Sequence, residues 1–213
     1  MKFVLNILKA FLINFLFIGI IHASSLCPSI SPNSAGSSAS EQVEAILNNV
    51  VCSFIDLNSN QDGSIKSTLN LTKKEIIPYI DLEYSTELAL GTYWSQLDTK
   101  QRKIFERDIK NSLINDYVGI LSEITQWEEI IISVDDNSSQ NENTARVKVS
   151  VSLESDPSSI ATVTLKLINK NRWKIYDLEY QSVSILDIEK IGYDSKIKRQ
   201  GIDKLIERML SKT

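Results

Sequence analysis

Two stretches of the chain decide its fold: IIPYIDLEYSTELALGTYW, from Ile76 to Trp94, and RWKIYDLEYQSVSI, from Arg172 to Ile185. In the first stretch, Pro78 stops one helix because proline has no backbone N–H to donate. Asp81 follows as a residue that can cap the next helix. In the second stretch, residues 173–180 are a predicted strand that follows a turn. The first stretch therefore belongs to a helical part of the chain, and the second belongs to a sheet.

Four helices are predicted before the sheet, because apolar residues recur there at helical spacing. They cover residues 41–55, 69–77, 82–90 and 99–124. Asp98 and Gln101 have the spacing of a capping box, which opens the last and longest of these helices. This helix carries one broad apolar stripe, and we expect the stripe to cover a sheet.

Four antiparallel strands are predicted after the helices. They cover residues 130–134, 146–153, 161–167 and 173–180. Apolar and polar residues alternate along the second and third of them, which is typical of strands with one face in water. A C-terminal helical segment begins near Asp187 and is interrupted near Gly201. Because helices and strands are segregated along the chain, the predicted fold class is α+β with a four-stranded antiparallel sheet.

The N-terminus has the pattern of a secretory signal. Lys2 and Lys9 precede an apolar run, and cleavage is expected after Ala23, so that residues 1–23 form the signal peptide. Counted from Phe3, the apolar stretch just reaches the length of a membrane-spanning helix, and an uncleaved anchor stays an alternative.

A Ser-rich stretch follows the signal. Residues 24–40 are interpreted as a flexible linker, which leaves residues 41–213 as a single domain. Lipid modification of Cys27 is not expected, because Leu26 occupies a position that needs a small residue. Cys27 and Cys52 can form a disulfide in an exported protein, but a buried thiol at Cys52 is an equally good interpretation.

Composition excludes several classes of function. Without residues 1–23 the chain keeps 21 basic and 27 acidic residues, a charge of −6 that does not suit a nucleic-acid carrier. The one histidine, His22, lies in the predicted signal, so histidine bases and most catalytic zinc sites are excluded. No enzymatic activity is predicted. No metal site is predicted either, because a calcium-loop-like stretch from Asn58 has Leu69 where a bidentate Glu is needed.

The two stretches together resemble the MlaC family. These toluene-tolerance-type proteins bind phospholipid in the periplasm and belong to a pathway that maintains outer-membrane lipid asymmetry. The resemblance rests on IIPYIDLEY, Gln101-Arg102 with Phe105, Trp173 with Tyr176-Asp177, Val183-Ser184, and QGID from Gln200. The chain departs from the family at Ser182, where the family usually has glycine, and at Glu189-Lys190, where it often has Tyr-Arg.

The resemblance implies a curved, NTF2-like sheet with a helical extension and an apolar cavity between sheet and helices. It implies no cofactor, with phospholipid as the ligand. Its implied partners are an inner-membrane ABC transporter complex with an MCE-domain subunit and an outer-membrane lipoprotein complex. We expect a monomeric periplasmic protein.

Lipid acyl chains need a continuous apolar lining, so the candidate lipid-binding residues are aliphatic and aromatic. They are Tyr84, Leu88, Phe105, Tyr117, Val147, Val149, Val151, Val163, Leu165, Leu167 and Tyr176. The same spacing is also typical of an ordinary core, and Trp173 is interpreted as a structural anchor. Two other functions stay open: a secreted interaction module with a solid core, and a small hydrolase or isomerase that uses Asp and Tyr.

Overall fold

The computed structural model describes residues 27, 37–60, 62, 64–124, 126–135, 139–158 and 160–211, without the side chains at 116, 117, 119, 120 and 123. The predicted signal and most of the predicted linker lie outside this part. The helices are α1 Ala39–Ser59, α2 Ile65–Glu75, α3 Leu82–Leu90, α4 Thr99–Glu123, α5 Ile185–Gln200 and α6 Ile202–Leu210. The strands are β1 Ile130–Val134, β2 Ser139–Gln140, β3 Thr144–Leu153, β4 Ala161–Asn169, β5 Trp173–Tyr180 and β6 Val183–Ser184. The α+β class is confirmed, and the two additional strands are only two residues long.

Side-chain caps explain where the helices begin. Asp81 accepts the backbone N–H of Tyr84 at 3.0 Å, and Asp98 forms the predicted capping box with Gln101. Ser38 caps α1, so this helix begins at Ala39, two residues before the predicted start. Each cap accepts an N–H group that has no partner within its own helix.

Within the described ranges, none of the helices combines the length and the apolar composition that crossing a membrane requires.

The sheet is antiparallel in the order β1-β3-β4-β5-β6, and β2 also pairs with β3. The register places Val147 opposite Leu165, and Val149 opposite Val163. These side chains share one face of the sheet, since residues two apart on a strand point the same way. Arg146, Lys166 and other polar residues occupy the opposite, outer face. The predicted alternation therefore produces one apolar inner face.

The first helix, α1, covers part of the inner face. Ala39 and Val43 are fully buried and pack with Val147 and Leu167. Gln42 fixes the helix to β5, because its side chain donates to Trp173 O and accepts the Trp173 N–H at 3.2 Å.

The long helix α4 packs differently from the prediction. It contacts mainly α2, α3 and α6, rather than covering the sheet along its whole stripe. Its C-terminal half contributes Ile114 and Val118 to a cluster with Ile77. Its N-terminal half contributes to a separate helical core. The described residues of the stripe are divided: Phe105 and Ile109 pack in the helical core, and Leu121 and Ile124 pack with α1 and Trp127.

A disulfide joins Cys27 to Cys52 on α1, with 5.6 Å between the Cα atoms. This resolves the pairing that the sequence left open. A disulfide suits an oxidising compartment, because the cytosol keeps such thiols reduced.

The turn between β5 and β6 has an unfavourable backbone conformation. Gln181 and Ser182 adopt φ values of 49° and 65°, and neither residue is glycine. The positive φ angles let Tyr180 pair with Val183 across a two-residue turn, a conformation that favours Asn-Gly or Gly-Gly.

We expect Ser182→Gly to raise the free energy of unfolding by about 1 kcal/mol, because glycine adopts positive φ without steric cost. Urea unfolding followed by circular dichroism measures the change. Ser152→Gly in the regular strand β3 is the control and is expected to destabilise the protein. If Ser182→Gly lowers stability as much as Ser152→Gly, the backbone explanation is wrong.

Candidate functional site

The two stretches that decide the fold contact each other in the structure. Ile80 forms a parallel bridge with Ile175, and the N–H of Asp81 donates to Ile175 O at 2.8 Å. One turn later, the hydroxyl of Ser85 donates to Tyr176 O at 2.7 Å. The start of α3 is therefore fixed to the middle of β5 by backbone groups and by the Ser85 hydroxyl. This junction positions the residues around the apolar face.

Two tyrosines meet at this junction. Tyr84 and Tyr176 are both half-buried, and their rings make an edge-to-face contact with 5.1 Å between centroids. Lys170 lies 5.4 Å from the centroid of the Tyr84 ring and forms an ion pair with Asp81 at 2.9 Å. Burial, with Tyr84 nearby, raises the pKa of Tyr176, so its phenol stays protonated at neutral pH. Tyr176 therefore presents aromatic surface rather than a reactive phenolate.

Asp177, beside this pair, is the most connected carboxylate of the region. Its side chain is 2% exposed and accepts from Lys166 Nζ at 2.8 Å. It also accepts from the Ser184 hydroxyl at 2.7 Å and from the N–H of Leu186 at 3.1 Å. These bonds join β4 and β5 to the first turn of α5.

The ion pair with Asp177 also affects the pKa of Lys166. Burial opposes the charge on Lys166, but hydrogen bonds with Asp177 and Glu179 outweigh this effect and raise the pKa of the amine. When folding raises the pKa of a lysine, the resulting stabilisation is fully present below the unfolded-state pKa. It is lost as the pH rises through the folded-state pKa. The pair therefore stabilises the fold at neutral pH. The hydrogen bonds of Asp177 connect the sheet to α5, which is a structural role.

The burial of side chains on the inner face differs between the two ends of the sheet. At the end near Trp173, Val147 and Leu167 are 0% exposed because α1 closes over them. At the other end, Val151 and Val163 are only partly buried, although they lie on the same face. Tyr180, opposite Val163, is 44% exposed. The second end, which we name the open end, thus presents apolar side chains that the described elements do not fully cover.

The structure brings most of the predicted lipid-binding residues together. Six of them form the apolar cluster of the sheet: Val147, Val149, Val151, Val163, Leu165 and Leu167. Tyr84 and Tyr176 contact each other at the edge of β5.

Two of the other three predicted residues, Phe105 and Leu88, do not join this cluster. Phe105 is fully buried in the helical core, where its ring packs against Tyr193 at 5.5 Å. Leu88 is half-buried on α3. Tyr117 belongs to α4, but its side chain lies outside the described part.

Sequence reasoning missed two apolar residues of β5. Ile175 and Leu178 pack on the inner face although they are three residues apart. The register shifts between Lys166 and Leu167, so Tyr176 is an additional residue in β5 and breaks the alternation. A strand that reads I-Y-D-L instead of a strict alternation was the available signal.

A small apolar cavity lies beside these residues. Its volume is about 30 Å³, which is the space of roughly one water molecule. It is lined by Ile80, Ser85, Leu113, Ile175, Tyr176, Asp177, Leu178, Ile185 and Leu186. The cavity therefore lies where α3, α4, β5 and α5 converge, on the helical side of the sheet.

Among the described residues, no group of three or more His, Cys, Asp or Glu side chains is arranged to hold a metal ion.

These features define a class of protein: an α+β domain whose antiparallel sheet carries an apolar face beneath a helical layer. Residues 44–211 match the family model described as MlaC protein, and the chain belongs to the MlaC family.

Two known proteins are similar to this chain. It is 26% identical over 160 residues to the intermembrane phospholipid transport system binding protein MlaC of Haemophilus influenzae. That match covers 73% of this chain and 74% of the relative. The fold resembles that of a phospholipid-binding protein from Ralstonia solanacearum, solved in complex with a phospholipid, with a TM-score of 0.68 and 20% identity. The structural match covers 82% of this chain and 96% of the other.

Proposed function

We propose that this chain is a periplasmic phospholipid carrier. It holds acyl chains against the inner face of the sheet and leaves the head group in water at the open end. It transfers lipid, as a monomer and without bond-making chemistry, between an outer-membrane lipoprotein complex and an inner-membrane ABC transporter with an MCE-domain subunit. Family membership and the names of the two relatives support the lipid ligand.

The observation that carries the proposal is the incomplete burial of one apolar face. Val151, Val163 and Leu178 share the inner face with fully buried neighbours, yet they are only partly covered. Apolar surface exposed to water costs about 25 cal/mol per Å². A ligand that covers these side chains recovers this free energy.

The energetics require a large apolar contact. Each buried methylene contributes about 0.8 kcal/mol, so two acyl chains need continuous lining rather than a few contacts. The cavity of about 30 Å³ is too small for them. In the proposed carrier, the acyl chains therefore extend beyond this cavity over the partly covered side chains of the open end.

The close packing of α1 on Val147 and Leu167 favours a second candidate, a secreted interaction module whose sheet and helices form a solid core. The two functions differ in what is bound at the open end, which is lipid in the first case and a protein in the second.

Lipid extraction tests the proposal. We expect the chain, exported in a Gram-negative host and purified from the periplasm, to yield close to one phospholipid per chain after solvent extraction and mass spectrometry. A ligand-free periplasmic protein purified in parallel is the control. A folded preparation without phospholipid above this control would favour the interaction module.

A further inference from the structure

A polar groove lies between α4 and the C-terminal helices, away from the apolar face of the sheet. It consists of two adjoining cavities of about 590 and 430 Å³, which share Asp108, Lys196 and Met209. Volumes of this size suit a ligand rather than a few waters. The proposed lipid function does not use this groove.

One face of α4 forms a wall of the groove. The residues that line it are Ile104, Arg107, Asp108, Asn111, Ser112 and Asn115. They recur every three or four residues over about 16 Å of helix. An extended peptide of roughly five residues has the same length.

The floor of the groove is fixed by hydrogen bonds between the helices. The hydroxyl of the buried Tyr193 donates to Asp108 at 3.0 Å, and the hydroxyl of Ser112 donates to Glu189 at 2.9 Å. Burial, with Asp108 and Glu189 nearby, raises the pKa of Tyr193, so this donor keeps its proton. Both carboxylates of the groove thus have donors within the protein.

The cationic side chains of the groove are arranged differently. Arg107 Nη2 is buried and has no hydrogen-bond partner among the described residues. Lys196, Arg199 and Arg208 are exposed along the C-terminal helices and line the same groove. A buried guanidinium nitrogen without an acceptor is costly, and an anionic ligand would supply the missing acceptor.

From these observations, we propose that the groove between α4, α5 and α6 docks an extended acidic segment of a partner protein. Arg107 binds a carboxylate in the deep part, and Lys196, Arg199 and Arg208 attract further carboxylates along the rim. Asn111, Asn115 and Gln200 provide amide groups that can bond to a peptide backbone. The length and the amide lining favour a peptide over a phospholipid head group, which would occupy only part of the groove.

Fluorescence anisotropy with a labelled octaglutamate peptide at low ionic strength tests the proposal. We expect saturable binding that weakens with salt, and no saturable binding of a matched octaglutamine peptide. Arg107→Gln and Arg208→Gln are each expected to weaken binding by about fivefold or more. Arg208 is exposed, so its variant keeps the fold even if the Arg107 variant does not.

Lys148→Gln is the matched control, because it removes one positive charge from the exposed outer face of the sheet. The affinity of this variant for octaglutamate is expected to stay within about twofold of the affinity of the parent protein. Absence of saturable peptide binding, equal binding of octaglutamine, or an equal loss in Lys148→Gln would overturn the proposal. Binding to phosphatidylglycerol vesicles that depends on Arg208, without peptide binding, would also overturn it and assign the groove to a membrane surface. The lipid content of each variant is measured in parallel and is expected to stay unchanged, so failure here is distinguishable from failure of the carrier function.

Discussion

Asp177→Ala is expected to lower the free energy of unfolding by about 3 kcal/mol, because it leaves the largely buried Lys166 amine without its main partner. The change also removes the acceptor for the Ser184 hydroxyl and for the N–H of Leu186. Urea unfolding followed by tryptophan fluorescence measures the loss. Asp177 is expected to be a main connection between the sheet and the start of α5.

Glu179→Ala is the matched control for Asp177→Ala. Glu179 also pairs with Lys166, at 3.3 Å, but its side chain is 22% exposed and it binds the half-exposed Arg146. Its loss is expected to cost much less stability than the loss of Asp177, because water screens an exposed ion pair. Asp177→Asn keeps an acceptor without the charge and should lie between the two. If Asp177→Ala and Glu179→Ala have equal effects, the buried network does not hold α5.

Val163→Trp is expected to reduce the phospholipid that co-purifies with the protein by about fivefold or more, because the indole occupies the partly covered apolar surface at the open end. Val163 lies opposite Val149 on the inner face. Mass spectrometry of the solvent extract, normalised to protein, measures the change.

Thr164→Trp is the control for Val163→Trp, because it adds the same side chain one residue later on the outer face, opposite Glu179. It should retain the lipid content of the parent protein. Circular dichroism must show that both variants are folded, and Val151→Trp provides a second test at the same end. Equal lipid loss in the outer-face variant would show that the inner face is not the binding surface.

The helical and strand pattern was predictable because its signals are local. Asp81 and Asp98 begin their helices as predicted, and Gly91 and Gly201 end helices with positive φ. The six aliphatic residues of β3 and β4 were placed on one face by strict alternation, and the structure groups them. The family resemblance was also correct, since the MlaC model matches residues 44–211.

The parts that were not predictable depend on contacts between distant elements. The stripe of α4 suggested a cover for the sheet, but helical spacing does not specify a partner, and α1 covers Val147 and Leu167 instead. Phe105 has the right chemistry for a lipid contact but packs with Tyr193, which is 88 positions later in the chain. The bulge at Tyr176 places Ile175 and Leu178 in the same cluster although they are three residues apart, which strict alternation does not predict. The Arg107 groove gave no sequence signal, because it requires the relative positions of three helices.

In the proposed carrier function, acyl chains contact the inner face of the sheet at its open end. Isotope-filtered nuclear Overhauser spectra of the lipid-loaded protein, with ¹³C-labelled methyl groups and unlabelled phospholipid, test this contact directly. We expect cross-peaks from acyl methylenes to the methyl groups of Val151, Val163 and Leu178, and none to those of Thr162 and Thr164 on the outer face. Cross-peaks only to the threonine methyl groups, or none at all from a loaded protein, would contradict it.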